Sequence, residues 1–257
     1  MPSLSEKREN PLFVDSIERA FGVLNCFLAN GHELTNKQIQ TETGLTFQTV
    51  DRAIKTLESH GYIEKNERKK TYQLALRALD FQYKFLITDP LVKMIWPLLV
   101  DIRDKTKGRV SYCELDGTEI VYLARIAGDE TDFLTSLVGR RRPAFATAGG
   151  RVILSGLAPK DRDGVLMASS FDPITPKTET DPRAVIESIE AIANDGYAMT
   201  AEETILGEVS YAAPVLGNDD NVRGAIVVSI RDDEAGKGIS QSELIALLLA
   251  VARSVST

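Results

Sequence analysis

The sequence has few of the side chains that form disulfides, bind metals or act as catalytic bases. Its 257 residues include two cysteines and two histidines, too few for a disulfide framework or a cysteine–histidine metal site. Cys26 and Cys113 each lie in an apolar stretch, which predicts buried, reduced thiols. We therefore expect no metal and no cofactor.

A catalytic centre is excluded by a similar argument. No histidine follows His60, and the chain has neither a nucleophile elbow nor a phosphate-binding loop. Glu202 and Glu203 lie near Ser210 in the sequence, but no histidine is available there to serve as a base. The sequence therefore predicts no catalytic residues and a protein that is not an enzyme.

Long apolar runs and a general excess of positive charge are also absent. No stretch of 18 apolar residues occurs and the first residues contain no apolar targeting segment, so we expect a cytoplasmic protein without a membrane partner. The net charge of −7 argues against a protein that coats nucleic acid along its whole surface. Positive charge is instead local, with seven basic and three acidic residues between Arg52 and Arg77. This is typical of a module that contacts phosphates.

The strongest pattern in the chain lies in residues 34–73. Before it, apolar residues from Val14 to Leu28 recur at helical spacing and predict a buried helix. Within it, a capping-box pair begins a short helix, a Gly-Leu turn follows, and Thr46 caps a second helix that Gly61 ends. A hairpin with a basic tip completes the segment. This order of elements predicts a winged helix-turn-helix.

The second helix of this segment has two different faces. Val50, Ile54 and Leu57 share one side at about 100° per residue, and polar and cationic side chains occupy the other. Glutamine can hydrogen-bond adenine and arginine can hydrogen-bond guanine, so such a helix fits the major groove, while a basic hairpin tip suits the sugar-phosphate backbone. The residues predicted to contact double-stranded DNA are Thr46, Gln48, Thr49, Arg52 and Lys55 on the helix, and Arg68, Lys69 and Lys70 at the tip.

The same pattern has a second interpretation. A three-helix motif with a hairpin can grip another protein, and a basic tip is often a solvated turn. The two hypotheses are a regulator that binds operator DNA and a small-molecule sensor whose N-terminal module binds a protein partner. The apolar spacing, short turn, polar stripe and basic hairpin occur together in the required order, so DNA binding is favoured.

Three stretches of the sequence carry a family resemblance. They are SIERAFGVLNCFLANGHELTNKQIQTETGLTFQTVDRAIKTLESHGYIEK, VGRRRPAFATAGGRVILSGL and DGYAMTAEETILGEVSYAAPV, and together they resemble the IclR family of transcriptional regulators over nearly the whole chain. The resemblance implies a homodimer, often paired into a tetramer, whose GAF-like domain binds a small organic effector and alters transcription. Phe47, Gln48 and Asp51 depart from the family's more usual Lys, Ser and His, which leaves the operator sequence open.

The rest of the chain is expected to form a second domain. Leu76, Leu79, Tyr83 and Leu86 recur at helical spacing and form an apolar seam, for which self-association is favoured over packing within the chain. Beyond Asp89-Pro90, which starts a new helix, strands and helices alternate as in an antiparallel-rich α+β layer. The predicted architecture is a flexible arm (1–11), a winged helix-turn-helix domain that is mainly α with a β-hairpin wing (12–75), a linker helix (76–88) and a C-terminal α+β GAF-like effector domain (89–257).

Residues 146–151 are the most suggestive stretch of that second domain. Small residues let a ligand approach the backbone, and N–H groups at a helix start favour a carboxylate; a tight turn that needs glycine for packing alone explains the same residues. The family resemblance places the effector against this segment. The positions it implies are Leu134, Leu137, Ala148, Gly149, Thr200, Ser210, Val227 and Ser229.

The predicted pocket combines hydroxyls with apolar walls. Family members often have Asp where Thr200 stands and Cys where Ser210 stands, so the polarity has changed here. Hydroxyls and apolar walls suit a small organic acid, with aromatic acids among the candidates. Arg140, Arg141 and Arg142 could provide an ion pair for that acid, but a run of three arginines is more often a solvated loop, and this second interpretation is favoured. The residues identify neither the acid nor whether the protein is a repressor or an activator.

Overall fold

The computed structural model describes residues 12–29, 31–128, 136–217, 221–231 and 239–256. The arm predicted over residues 1–11 lies outside them. The described chain forms two compact units, the first ending at Phe85 and the second beginning at Leu86. This division falls within the segment 76–88 that the sequence assigns to a linker helix.

The first unit is mainly helical with an antiparallel hairpin. Its elements are α1 (Asp15–Ala29), α2 (Asn36–Thr43), α3 (Phe47–Ser59), β1 (Ile63–Asn66) and β2 (Thr71–Leu74). The strands pair with Ile63 opposite Leu74, and Val23, Ile39 and Val50 are fully buried where the helices meet. The prediction of a winged helix-turn-helix is confirmed.

The helix limits in this unit follow from local capping. Thr35 and Gln38 form the predicted capping box at the start of α2, and Gly44 ends that helix with φ of 66°. Thr46 caps α3, and Gly61, with φ of 75°, follows its end. Each of these signals acts over three or four residues, which explains why the sequence located them.

The prediction that α1 is a buried helix was wrong for much of its surface. Ile17, Phe21 and Leu28 are 55%, 57% and 77% exposed, whereas Val23 and Phe27 are buried. The apolar residues of α1 are spread around most of its circumference, but α2 and α3 cover only one side of the helix. Helical spacing alone cannot tell which side meets the core.

The second unit contains the sheet and most of the chain. A 3-10 turn (Leu76–Ala78) leads into α4 (Leu79–Thr88), which contains the division between the units. The elements that follow are α5 (Pro90–Thr106), β3 (Arg109–Asp116), β4 (Glu119–Ile126), β5 (Arg141–Pro143), α6 (Ala148–Ser155), α7 (Pro159–Met167), α8 (Pro182–Asp195), β6 (Ala198–Ala201), β7 (Glu208–Leu216), β8 (Val222–Arg231) and α9 (Gln241–Val255).

The described strands of the second unit form one antiparallel sheet in the order β5-β4-β3-β8-β7-β6. Side chains alternate between its two faces. Val227 packs with α6 and α8 on one face, and its neighbours Ile226 and Val228 pack with α5 and α9 on the other. This arrangement of helices over both faces of an antiparallel sheet confirms the α+β class, for which GAF-like is an appropriate description.

Two details of the second unit differ from the sequence prediction. The sequence from Phe133 to Leu137 also predicts a strand, but most of it lies outside the described residues, and Ser136 and Leu137 are not in a strand. The short strand β5 was not predicted. It pairs with β4 for three residues, and so short a strand carries no detectable alternation.

Two further findings concern the described residues only. None of their helices combines the length and apolar character needed to cross a membrane, and their His, Cys, Asp and Glu side chains form no group of three that could hold a metal ion. Cys26 and Cys113 are both buried and free, as predicted. Burial raises the pKa of the Cys113 thiol to about 12.

Candidate functional site

The outer face of α3 is one candidate site. Val50, Ile54 and Leu57 are buried, so the opposite side of this helix, with Gln48 and Arg52, is exposed. The side chains of Gln48 and Arg52 make no hydrogen bond or ion pair with any described residue. The packing of one face of α3 therefore leaves the other face able to bind a ligand.

The start of α3 is held by paired hydroxyls. The Thr46 Oγ1 accepts the Thr49 backbone N–H at 3.3 Å, and the two threonine hydroxyls lie 2.9 Å apart. These bonds satisfy one of the free N–H groups of the first turn. The threonines therefore have a structural role whatever else they contact.

The predicted lysines of this unit differ in their present partners. Lys55 lies 2.7 Å from Asp51, and the hydrogen bond to that carboxylate raises the pKa of Lys55. Lys69 lies 2.9 Å from Glu33, and its hydrogen bond lowers the pKa of that carboxyl group. Such exposed pairs are weak, so a phosphate can compete with either carboxylate. The side chains of Arg68 and Lys70 are exposed at the hairpin tip.

A cavity in the second unit is the other candidate site. It lies at the N-terminal end of α6, against strands β3, β4, β7 and β8, and has a volume of about 20 Å³. Its lining is mainly charged, hydroxyl and small side chains. The residues that line it are Arg109, Tyr122, Arg125, Arg140, Arg142, Thr147, Ala148, Thr200, Thr204, Ile205, Glu208, Ser210, Val227 and Ser229.

The structure brings most of the predicted effector positions together at this cavity. Those that line it are Ala148, Thr200, Ser210, Val227 and Ser229. Gly149 and Leu137 are not among the lining residues, and Leu137 is 45% exposed. Leu134 lies outside the described residues. The Ser210 and Ser229 hydroxyls lie 2.8 Å apart on neighbouring strands.

The glycines at the start of α6 are required by packing. A Cβ on Gly149 would lie 2.8 Å from the Cys113 Sγ and 2.9 Å from Val227 Cγ2, and a Cβ on Gly150 would lie 2.1 Å from the Ala144 carbonyl oxygen. The packing explanation offered for this stretch therefore accounts for both glycines. Ala148, one residue earlier, contributes to the cavity wall.

Three charged residues of the cavity were missed from the sequence. Arg109 Nη2 donates to the Glu208 carboxylate at 2.5 Å, and both side chains are buried. Arg125 is 8% exposed, donates from Nε to Ser111 Oγ at 3.2 Å, and lies with its guanidinium carbon 3.8 Å from the centre of the Tyr122 ring. Two guanidinium groups thus face one carboxylate, which leaves the cavity positive.

Burial affects the ionisation of these groups. It lowers the pKa of Arg125 to about 10 and raises the pKa of the Tyr122 hydroxyl to about 12. Arg125 therefore remains charged at neutral pH, although its Nη1 has no hydrogen-bond partner among the described residues. The sequence does contain one indication of such residues, which is a single charged residue at an inward-facing position of an apolar strand. Arg125 in the stretch VYLARI is an example.

The arginine run at 140–142 is only partly a solvated loop. Arg141 is exposed and pairs with Asp116 and Glu119, as a surface residue would. Arg140 and Arg142 are half-buried and line the cavity. The strand β5 explains the difference, because alternate residues of a strand face opposite sides.

Family profiles match both units of the chain. The profile described as the IclR helix-turn-helix domain matches residues 16–67, and the profile described as bacterial transcriptional regulator IclR C-terminal matches residues 84–257. The second of these alone covers more than half of the chain.

Individual relatives extend over nearly the full chain. The HTH-type transcriptional regulator XynR of Escherichia coli (strain K12) is 28% identical over 256 residues, covering 94% of this chain and 97% of the relative. The crystal structure of an IclR family transcriptional regulator from Brucella abortus matches with a TM-score of 0.82 at 22% identity, over 99% of this chain and 96% of that one. The crystal structure of an IclR homologue from Microbacterium hydrocarbonoxydans, complexed with 4-hydroxybenzoate, matches with a TM-score of 0.77 at 18% identity. The match covers 94% of this chain and 98% of that one. These profiles and relatives describe transcriptional regulators rather than enzymes, and the chain belongs to the IclR family of bacterial transcriptional regulators.

Proposed function

We propose that this regulator binds operator DNA as a dimer or tetramer through the outer face of α3 and the β1–β2 hairpin, and that a small organic acid bound in the second unit alters this binding. The observation that carries the DNA-binding part is the exposure of Gln48 and Arg52 on a helix whose other face is buried in the core. Neither side chain has a hydrogen-bond or ion-pair partner among the described residues, so binding to DNA would break no such contact.

The chemistry of α3 supports reading of bases in the major groove. Arg52 can donate two hydrogen bonds to guanine, and Gln48 can both donate to and accept from adenine. The Thr46 and Thr49 hydroxyls and Lys55 flank this pair on the helix, where they suit phosphate contacts. The exposed cations Arg68, Lys69 and Lys70 at the hairpin tip suit the sugar-phosphate backbone beside the groove.

Self-association is supported by the exposed side chains of the seam defined above. Leu76, Leu79 and Tyr83 are 83%, 57% and 62% exposed. Apolar residues exposed together in this way are typical of a protein interface. A two-fold assembly would place two copies of α3 on two half-sites of a palindromic operator.

An acid effector is supported by the cavity of the second unit. Its buried charges are two arginines and one glutamate, and the half-buried Arg140 and Arg142 add positive charge. Tyrosine, serine and threonine hydroxyls complete its polar lining. A positive cavity favours an anion. The relative from Microbacterium hydrocarbonoxydans was solved with 4-hydroxybenzoate, which agrees with an aromatic acid on this fold, although at 18% identity the likeness concerns the fold alone.

The test is operator binding by Arg52→Ala. We expect this substitution to weaken binding to the region upstream of the protein's own gene by about 1 to 3 kcal/mol in a gel-shift assay. Arg253→Ala, which removes an exposed arginine of α9 in the second unit, is the control and should bind as the wild type does. Equal binding by the Arg52 variant would show that α3 does not read the operator.

Ionic strength distinguishes DNA binding from a protein partner. Neutralising phosphates releases counterions, so operator affinity should fall steeply as salt is raised, and removal of Lys70 should reduce that dependence. A salt-independent affinity would instead favour a sensor whose first unit binds a protein.

A further inference from the structure

We propose that Arg125 is the residue that selects the charge of the ligand, and that its guanidinium, held over the Tyr122 ring, receives the carboxylate of a monoanionic organic acid. This inference rests on the proposed effector role of the cavity. It adds the anchor residue and the charge of the ligand, neither of which follows from the positions that the family resemblance implies.

The first argument is the incomplete bonding of a fixed, buried cation. Arg125 is 8% exposed and is held from two sides, by the Ser111 hydroxyl at 3.2 Å and by the Tyr122 ring at 3.8 Å. Its Nη1 is buried and has no hydrogen-bond partner among the described residues, yet the side chain lines the cavity. A buried charged donor without a partner is costly. A carboxylate in the cavity would remove that cost.

The second argument is the balance of buried charge. Glu208 is the one buried carboxylate among the lining residues and pairs with Arg109 through the 2.5 Å contact, so Arg109 and Arg125 bring two buried positive charges against one negative charge. One carboxylate would therefore make the buried set neutral. An amide of the same shape would leave the cation uncompensated, and a dianion would leave an excess negative charge for the half-buried Arg140 and Arg142 to neutralise.

The third argument is which lining residues can adapt to a ligand. The present volume of about 20 Å³ holds about one water molecule, so an organic acid requires some lining side chains to move. Arg142 and Ile205 are partly exposed and have room to shift. Arg125 and Tyr122 are buried and in mutual contact, which makes them the fixed part of the site.

The experiment compares acids with their uncharged amides. Isothermal titration calorimetry would measure benzoate against benzamide, 4-hydroxybenzoate against 4-hydroxybenzamide, and pyruvate against pyruvamide, on the full-length wild type. We expect at least one carboxylate to bind and its amide to bind more than tenfold more weakly. Binding of the amide with equal affinity, or binding by none of these carboxylates, would overturn the proposal.

Two variants test Arg125 itself against a matched surface arginine. Arg125→Met keeps an unbranched side chain but removes the guanidinium group and its charge, and should lower the affinity for the bound carboxylate more than tenfold. Arg125→Lys keeps the charge without the planar fork and should retain part of the affinity. Arg141→Gln, whose side chain pairs with Asp116 outside the cavity, should bind as the wild type does. Unchanged affinity in Arg125→Met would overturn the proposal.

Ligand-free stability separates a binding residue from a structural one. Arg125→Met removes the hydrogen bond to Ser111 and the contact with the Tyr122 ring, but it also removes a buried charge whose Nη1 has no partner among the described residues, so its melting temperature without ligand should equal or exceed that of the wild type. A clear fall would mark a structural residue and count against the proposal. Ligand-free operator binding should match the wild type in the Arg125 variants, so failure of the wild type to bind DNA would reject the proposed function and leave the carboxylate result standing.

Discussion

At the scale of single residues, the second unit buries guanidinium groups in two different ways. Arg151 donates to Glu203 at 2.7 Å and to the Phe145 carbonyl at 2.7 Å, so its charge is compensated within the protein. Arg125 has a nitrogen, Nη1, that no residue of the described part of the chain pairs with. Glu203 also accepts the backbone N–H of Glu179 at 3.0 Å, which ties a loop to α6. The first arginine is therefore structural and the second is available to a ligand.

This difference predicts a large effect of removing Glu203. Glu203→Ala would leave the charge of Arg151 buried and unpaired, which costs about 3 to 5 kcal/mol of unfolding free energy. Trp96, the only tryptophan of the chain, lies in α5 and reports on the second unit during urea denaturation. Glu190→Ala, which removes an exposed partner of Arg162, should have a much smaller effect. Similar midpoints for both variants would show that the buried pair is not stabilising.

The residues of the candidate site were predictable to different degrees. The exposed face of α3 followed from the 3.6-residue period, because a helix that buries Val50 and Ile54 must turn Arg52 outward. The buried arginines of the cavity did not follow from any period. Arg125 and Glu208 lie 83 residues apart in the sequence, and their strands β4 and β7 come together only because β3 pairs with β4 and β8, and β8 pairs with β7.

At the scale of elements, the start of α6 depends on glycine for close packing. Gly150→Ala would place a methyl group 2.1 Å from the Ala144 carbonyl oxygen, a backbone atom that cannot move aside easily. We expect this substitution to lower the unfolding free energy by about 1 to 3 kcal/mol and to distort the adjacent cavity wall.

A second helical glycine provides the control for this prediction. A Cβ added to Gly164 in α7 would have no atom within 4 Å, so Gly164→Ala should raise stability by about 0.4 to 1 kcal/mol through the reduced entropy of the unfolded chain. Urea denaturation followed by Trp96 fluorescence would measure both. If Gly150→Ala and Gly164→Ala changed the unfolding free energy in the same direction, the packing argument would be contradicted.

Element limits were predicted well where the signal is local and poorly where it is not. Asp89, followed by Pro90, caps α5 as expected. Asp181, followed by Pro182, caps α8 by the same pattern, and Ser240 with Glu243 forms a capping box at the start of α9. The buried side of α1 and the short strand β5 depend on which other elements lie beside them. Such tertiary contacts cannot be predicted from the pattern of a few neighbouring residues in the sequence.

At the scale of the whole molecule, charge is divided according to the proposed roles. The basic residues from Arg52 to Lys70 lie on α3 and the hairpin of the first unit and Arg77 lies in the 3-10 turn that follows, while the chain as a whole carries −7. A net negative protein with a local basic face is attracted to phosphates at that face and repelled elsewhere. This arrangement favours one orientation on a duplex.

The seam predicts that oligomeric state and operator affinity change together. The double substitution Leu79→Glu and Tyr83→Glu places charges on a surface that is 57% and 62% exposed at these residues, so the folded chain should tolerate them while an apolar interface would not. We expect the wild type to have the mass of a dimer or tetramer in size-exclusion chromatography with light scattering. The variant should have the mass of a monomer.

Separating the copies of the chain should also weaken operator binding, because a monomer has only one DNA-binding unit. When two DNA-binding units are linked in a dimer, binding of the first places the second at a high effective concentration beside its half-site. The monomeric variant should therefore bind the operator more than tenfold more weakly, although its α3 is unchanged. Met167→Glu, at a residue of α7 that is 89% exposed, controls for added charge and should change neither mass nor affinity. A double variant that keeps the wild-type mass would place the interface elsewhere. A monomer that retains full affinity would mean that one copy of α3 and its hairpin suffices for operator recognition.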